Sequence, residues 1–234
     1  MPPEPLLEVR DLRIDLLPHQ SILRGVSFDI PEGSIAGLSG DSGSGKTTLA
    51  LALLKLLPPA RYRVGGQVLL RGRDLLALDE GSLESVRGAQ IAMIFQDPLL
   101  ALNPVLRVRQ QIAEILRAHH AGGDAAELLA LAGIPAPARI LAAYPHELSG
   151  GERQRVTIAQ ALACQPALIV ADEPFTSLDA PRVLELAALF RRLRDRFRTS
   201  FLLIGHHPGI LAATADRLLV LRHGSVAEGA AHVH

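Results

Sequence analysis

The stretch GDSGSGKT, Gly40 to Thr47, has the glycine spacing and Lys-Thr ending of a loop that wraps phosphates. Its glycines let the backbone pass close to an anion, so amides through Ser42, Gly43, Ser44 and Gly45 can point at phosphate oxygens. A strand-like segment precedes it and the helix-like TLALALLKLL follows, adding the positive end of a helix dipole. In that setting Lys46 reaches the β- and γ-phosphates of a nucleotide, and the Thr47 hydroxyl ligates Mg²⁺. Lys46 and Lys55 are the two lysines among 24 basic residues, so a lysine here selects a compact point charge over the chain's usual guanidinium.

Two further groups suit the same chemistry. Asp172 and Glu173 follow the apolar run ALIVA, at the strand end where ligands of open α/β sheets bind. Asp172 would hold Mg²⁺, usually through water, and Glu173 would polarise an attacking water. His206 and His207 end the run SFLLIG, and one imidazole there could contact a γ-phosphate. Strand alternation predicts that the two rings point apart, which argues against a metal held between them. His119, His120, His232 and His234 read as solvent-exposed. The stretch LSGGERQR, Leu148 to Arg155, is a second cradle, with Ser149 as helix cap and Gly150 and Gly151 open to close approach. Two such cradles of one chain do not easily wrap one γ-phosphate. The second therefore serves the ATP of another molecule, which makes ATP the glue of a head-to-tail dimer.

These groups need a scaffold. LLEVRDLRI, GVSFDI, SIAGLSG, GGQVLLRG and IAMIFQ read as strands in the first part of the chain. Val108, Ile112, Ile115 and Leu116 share one helical face, and DAAE, Asp124 to Glu127, offers a capping box for a further helix ending near Gly133. Leu186, Phe190, Leu193 and Phe197 trace the buried stripe of a helix between the last two apolar strands. Alternating strand and helix predict an α/β fold: a parallel sheet covered on both faces, with a helical insertion.

Composition sets bounds on what the chain does. Net charge is zero, so no broad electrostatic footprint for nucleic acid is expected. LALALLKLLPPA, the best candidate for a membrane span, is broken by Lys55 and stopped by Pro58 and Pro59. The beginning of the chain lacks the charge pattern of a secretory signal, and Cys164 stands alone, which fits a reducing cytosol.

Taken in order, the motifs resemble those of ATP-binding cassette (ABC) ATPases. GDSGSGKT resembles Walker A, Gln96 the Q-loop glutamine, LIVADE Walker B, SLD (Ser177 to Asp179) the D-loop, LSGGERQR the signature and His206 the switch histidine. The resemblance implies a P-loop core with a mixed sheet, an antiparallel β subdomain and an α-helical subdomain. The expected division is a core over 1–97 and 159–234 and an inserted helical part over 98–158. It implies ATP and Mg²⁺ as cofactors, with Glu173, His206, Gln96 and Lys46 as the catalytic set. Nucleotide contacts are implied for Gly40, Asp41, Ser42, Gly43, Ser44, Gly45, Lys46, Thr47 and Thr48. Across a dimer they are implied for Ser149, Gly150, Gly151 and Asp179, and Thr47, Gln96 and Asp172 are expected around the metal. The implied partners are membrane permease subunits met through the helical part and the Q-loop, a second ATPase subunit (identical or related), and indirectly a substrate-binding protein. The implied place is the cytoplasmic face of the cell's inner membrane, bound peripherally.

MIFQDPLLALNP and YPHELSGGERQRVTIAQAL resemble the ATPases of dipeptide, oligopeptide and nickel importers. The short end after LRHGSVAEGA and the absence of an aromatic residue in RIDLLPHQSIL are features shared with the shorter nickel-type members, so nickel is the expected cargo and peptides the alternative. An exporter-type ATPase would have a different Q-loop neighbourhood. A soluble ABC protein of DNA repair or translation would need coiled coils or tandem cassettes, and a P-loop kinase would leave LSGGERQR unexplained.

Overall fold

The structure, a computed structural model, describes residues 5–228; His232 and His234 lie outside them. Strands β1 (Leu7–Leu16) and β2 (Gln20–Ile30) form a long hairpin, followed by β3 (Ile35–Ser39) and helix α1 (Lys46–Leu53). Then come β4 (Tyr62–Leu70), β5 (Arg73–Asp74), α2 (Glu80–Glu84) and β6 (Ile91–Ile94). A run of helices follows: α3 (Pro98–Ala101), α4 (Val108–Ala118), α5 (Ala125–Leu131), α6 (Pro137–Ala142) and α7 (Gly150–Leu162). The last part alternates β7 (Leu168–Asp172), α8 (Ala180–Phe197), β8 (Ser200–Gly205), α9 (Pro208–Thr214), β9 (Arg217–Arg222) and β10 (Ser225–Glu228).

Two sheets result. The first is antiparallel, in the order β2-β1-β4-β5. The second runs β10-β9-β3-β8-β7-β6, parallel throughout except for β10 at its edge. Every residue of β3, β7 and β8 is buried, which is why these segments read as unbroken apolar runs rather than alternating ones. Alternation reappears in what each residue touches. Ile169, Ala171, Phe201 and Leu203 face a core shared with α4, α5, α7 and α8. Leu168, Val170, Leu202 and Ile204 face the opposite core, shared with α1 and the antiparallel sheet. Phe190 of α8 joins its helix to the sheet, packing against Phe201 at 5.2 Å and Phe175 at 6.1 Å between ring centroids.

Three local expectations are corrected. Asp124 caps α5 by accepting from the Ala126 amide at 3.1 Å, but Glu127 does not return the bond. Its carboxylate lies 3.6 Å from Arg196 instead, so the cap is one-sided. β4 begins at Tyr62, ahead of the Gly65 expected, because its pairing with β1 resumes beyond a bulge in β1 between Arg10 and Arg13. Gly66 makes that possible: its φ is 97°, and a Cβ there would sit 2.4 Å from the Asp11 carbonyl oxygen. His119 is half-buried rather than exposed, packed over Gly88; His120 is exposed as expected. α7 runs unbroken from Gly150 to Leu162.

Candidate functional site

The phosphate loop lies between the end of β3 and the start of α1. Gly45 takes φ 101°, where a side chain is strained, and a Cβ would meet Ile22 Cγ2 at 2.8 Å. A Cβ on Gly40 would meet the Leu221 carbonyl oxygen at 2.6 Å. Glycine is therefore required at both ends of the loop for the backbone to close around an anion. Lys46 is buried, and its ammonium donates to the carbonyls of Gly40 at 2.8 Å and Asp41 at 2.9 Å. That places a positive charge under the loop, held by backbone carbonyls. Ser42 and Thr47 are exposed, and Thr48 is half-buried in the first turn of α1.

Asp172 is the last residue of β7 and is 2% exposed. Burial pushes its carboxyl pKa up, the Thr47 hydroxyl pulls it down, the Glu173 carboxylate raises it and the Lys46 ammonium lowers it. Its Oδ1 has no hydrogen-bond partner, and neither has the buried Ser44 Oγ. The orphaned Asp172 Oδ1, on a carboxylate that meets the Thr47 hydroxyl, makes with it a pair of hard oxygens suited to Mg²⁺. ATP and Mg²⁺ are thus groups that these residues fit.

Glu173 turns the chain out of the strand at φ 52°, a left-handed conformation uncommon outside glycine and asparagine. Its amide donates to the Ile204 carbonyl at 2.9 Å, which fixes it to β8. Its Oε2 accepts from the Thr176 hydroxyl at 2.8 Å and faces His206 Nδ1 at 2.7 Å. Neither bond uses Oε1. Facing a carboxylate, Nδ1 carries a hydrogen, so Nε2 remains for a second partner. The expectation that His206 and His207 point apart fails: their ring centroids lie 3.9 Å apart. β8 ends at Gly205, so both histidines lie beyond the strand, and its alternation does not reach them.

Ser149 caps α7 with a reciprocal pair: its hydroxyl accepts from the Glu152 amide at 3.3 Å, and Glu152 accepts from the Ser149 amide at 2.8 Å. The Ser149 amide and, through an ion pair, Arg139 hold the Glu152 carboxyl below its usual pKa. Nothing lies within 4 Å of where a Cβ would stand on Gly150 or Gly151, so this helix start is open to an approaching anion. Ser149, Gly150, Gly151, Gln96 and Glu173 line one cleft of about 810 Å³, and no residue of Gly40–Thr48 lines it. Gln96 is exposed, between β6 and α3. Asp179 caps α8 by accepting from the Arg182 amide at 3.0 Å. The structure therefore joins Glu173 to His206 and sets Asp172 against Thr47 of the phosphate loop, while Glu173 and Gln96 share the second cradle's cleft. Thr176 was not anticipated, although a hydroxyl three residues after a candidate base was a usable signal. Gln154, whose Nε2 donates to the Pro174 carbonyl at 2.5 Å, carried no such signal.

Comparison with known proteins agrees with this geometry. The family model described as ABC transporter matches residues 23–176. A Sinorhizobium fredii protein described as a probable peptide ABC transporter ATP-binding protein is 44% identical over 96% of this chain and 70% of its own length. The oligopeptide transport ATP-binding protein OppD of Bacillus subtilis is 42% identical over 95% of this chain, which spans 65% of that relative. The dipeptide transport ATP-binding protein DppD of the same species is 39% identical over 96% of this chain and 70% of its own length. Among solved structures, a dimeric post-hydrolysis state of the ATP-binding cassette MJ0796 with ADP and Pi superposes with a TM-score of 0.83 at 25% identity, covering 97% of this chain and 100% of that one. The match covers most of the chain and the relatives are similar along nearly all of it, so this chain belongs to that family: it is an ABC transporter ATPase.

Proposed function

We propose that this chain is the ATP-hydrolysing subunit of an importer of short peptides. The observation that carries the enzymatic part is Glu173, set in a strained turn beside Asp172 and held through one oxygen by His206 and Thr176. With Oε2 held, Oε1 is the oxygen that takes the proton of a water attacking the γ-phosphate. With Nδ1 engaged by Glu173, His206 Nε2 would be the atom that contacts the γ-phosphate. Lys46 and the amides from Gly43 to Thr47 stabilise the charge that spreads over the transferring phosphoryl group. Mg²⁺, when bound, would be held by Thr47 and Asp172, with Gln96 near it, and would supply charge neutralisation at the phosphate oxygens.

The helices over 98–158 form the part that answers the permease. Leu99, Leu100 and Val105 are 51%, 85% and 76% exposed on the segment after Gln96, an apolar surface suited to a membrane subunit. No helix among the described residues is long and apolar enough to cross a membrane, so the chain would act from the inner-membrane face through that contact. The cargo reading moves from nickel to peptides. All three sequence relatives reported above are named for peptide transport and are similar along nearly all of this chain. The length of the chain's end carries no argument.

The test is uptake of a labelled dipeptide, a labelled oligopeptide and nickel in cells whose single copy carries Glu173→Gln. Loss of peptide uptake with nickel uptake intact is the expected result. Loss of nickel uptake alone restores the metal reading.

A further inference from the structure

One side chain joins the second cradle to the candidate base of the same chain. Gln154 lies on α7 five residues beyond Ser149, roughly 7.5 Å along a stiff helix. Its amide donates to the carbonyl of Pro174, which is buried and directly follows Glu173. Among the described residues this is the hydrogen bond that runs from α7 to the turn over 173–178. That turn is the one that sets Glu173: the Thr176 amide donates to the Glu173 carbonyl at 3.2 Å, and the Thr176 hydroxyl donates to its carboxylate. On its other side Glu173 is fixed to β8 through Ile204. The base is thus suspended between the sheet and the signature helix. Gln154 and Glu173 also line the same cleft, so movement of α7 across it acts on this bond.

We propose that Gln154 is a positioning residue that couples the two nucleotide sites of an ABC dimer. Closure of Ser149–Gly151 on the partner's nucleotide shifts α7, and the Gln154–Pro174 bond carries that shift to Glu173, which acts on the chain's own nucleotide. The inference rests on the reading that the second cradle serves a partner's ATP. It differs from the role of a catalytic residue, since the Gln154 amide acts on Glu173 through the Pro174 carbonyl.

The experiment compares full-length wild type, Gln154→Leu, Gln154→Lys and Ser149→Arg. ATP turnover is measured as a function of ATP concentration, and nucleotide affinity is measured separately with a fluorescent ATP analogue. Gln154→Leu is expected to lower kcat about tenfold, within the usual range of coupling between sites. It should abolish cooperativity in ATP while leaving nucleotide affinity unchanged. Gln154→Lys keeps a donor of similar reach and restores both. The proposal is overturned if Gln154→Leu matches wild type in kcat and Hill coefficient, or if nucleotide affinity falls in step with turnover, which marks a merely structural role. Full turnover in Ser149→Arg overturns the partner-site reading itself, and the coupling with it. Loss of turnover in Ser149→Arg beside a wild-type-like Gln154→Leu isolates the failure to Gln154.

Discussion

At Glu173 a backbone that most residues avoid is held by two hydrogen bonds, and the carboxylate is aimed by two of its neighbours. Such strain costs of order 1–3 kcal/mol and persists where the surroundings over-determine it. Glu173→Gln should cut steady-state hydrolysis by about 10²–10⁴-fold, the usual worth of a general base, with ATP affinity retained in a direct binding assay. Thr176→Val, which removes one of the two clamps on Oε2, should lower kcat without raising the KM for ATP. Asp172 behaves differently. Burial raises its folded pKa above the unfolded value, so its ionised form costs stability once pH exceeds the ordinary aspartate range. Asp172→Asn should therefore raise the thermal midpoint of the nucleotide-free chain at neutral pH while abolishing Mg²⁺-dependent turnover. An unchanged or lowered midpoint contradicts the assigned sign. Lys46, Asp172, Glu173 and His206 were legible in the sequence because each stands in a short contiguous pattern beside an apolar strand. Thr176 and Gln154 were not, since their contacts depend on the left-handed turn at Glu173 and on how α7 crosses the sheet.

Among the elements, the segment between Gln96 and α4 shows how a surface loop is given one shape. Gln111 is 6% exposed, and its amide donates to the carbonyls of Asn103 at 3.0 Å and Leu106 at 2.9 Å. Its oxygen accepts from the Asn103 amide at 3.0 Å and from Gln160 at 3.3 Å. Asn103 in turn accepts from the Val105 amide at 3.1 Å, which presents Val105 outward. Gln111→Leu leaves three backbone groups without this partner, and about 1–3 kcal/mol of stability should be lost by denaturant unfolding. Leu100→Asp should lower peptide uptake far more than ATP turnover; equal losses would remove this surface from the permease contact. The spacing of Val108, Ile112 and the α8 stripe made the helices legible, because burial of one face imposes its period. The failed capping box at Glu127 and the close, tilted His206–His207 pair were lost to tertiary partners and to the end of a strand, neither of which local spacing encodes.

For the molecule as a whole, the sheet's two faces feed two cores, and the phosphate loop, Gln96, Asp172 and His206 all stand at the carboxyl ends of its parallel strands. The parallel core was legible in the unbroken apolar strands, whereas the antiparallel sheet was expected only through the family resemblance. The nickel expectation failed to find support because it leaned on features outside the site. What remains unusual in a single chain is a second, open, phosphate-ready helix start that shares no cleft with the first. The measurement that tests the reason for it is a mixing experiment with purified Lys46→Ala and Ser149→Arg, beside active wild type. Each variant alone should hydrolyse almost no ATP. Mixed, they should regain part of the wild-type rate, because a mixed dimer holds one site with an intact loop from one chain and an intact cradle from the other. A mixture as inactive as its components, or full activity in Ser149→Arg alone, would contradict the account.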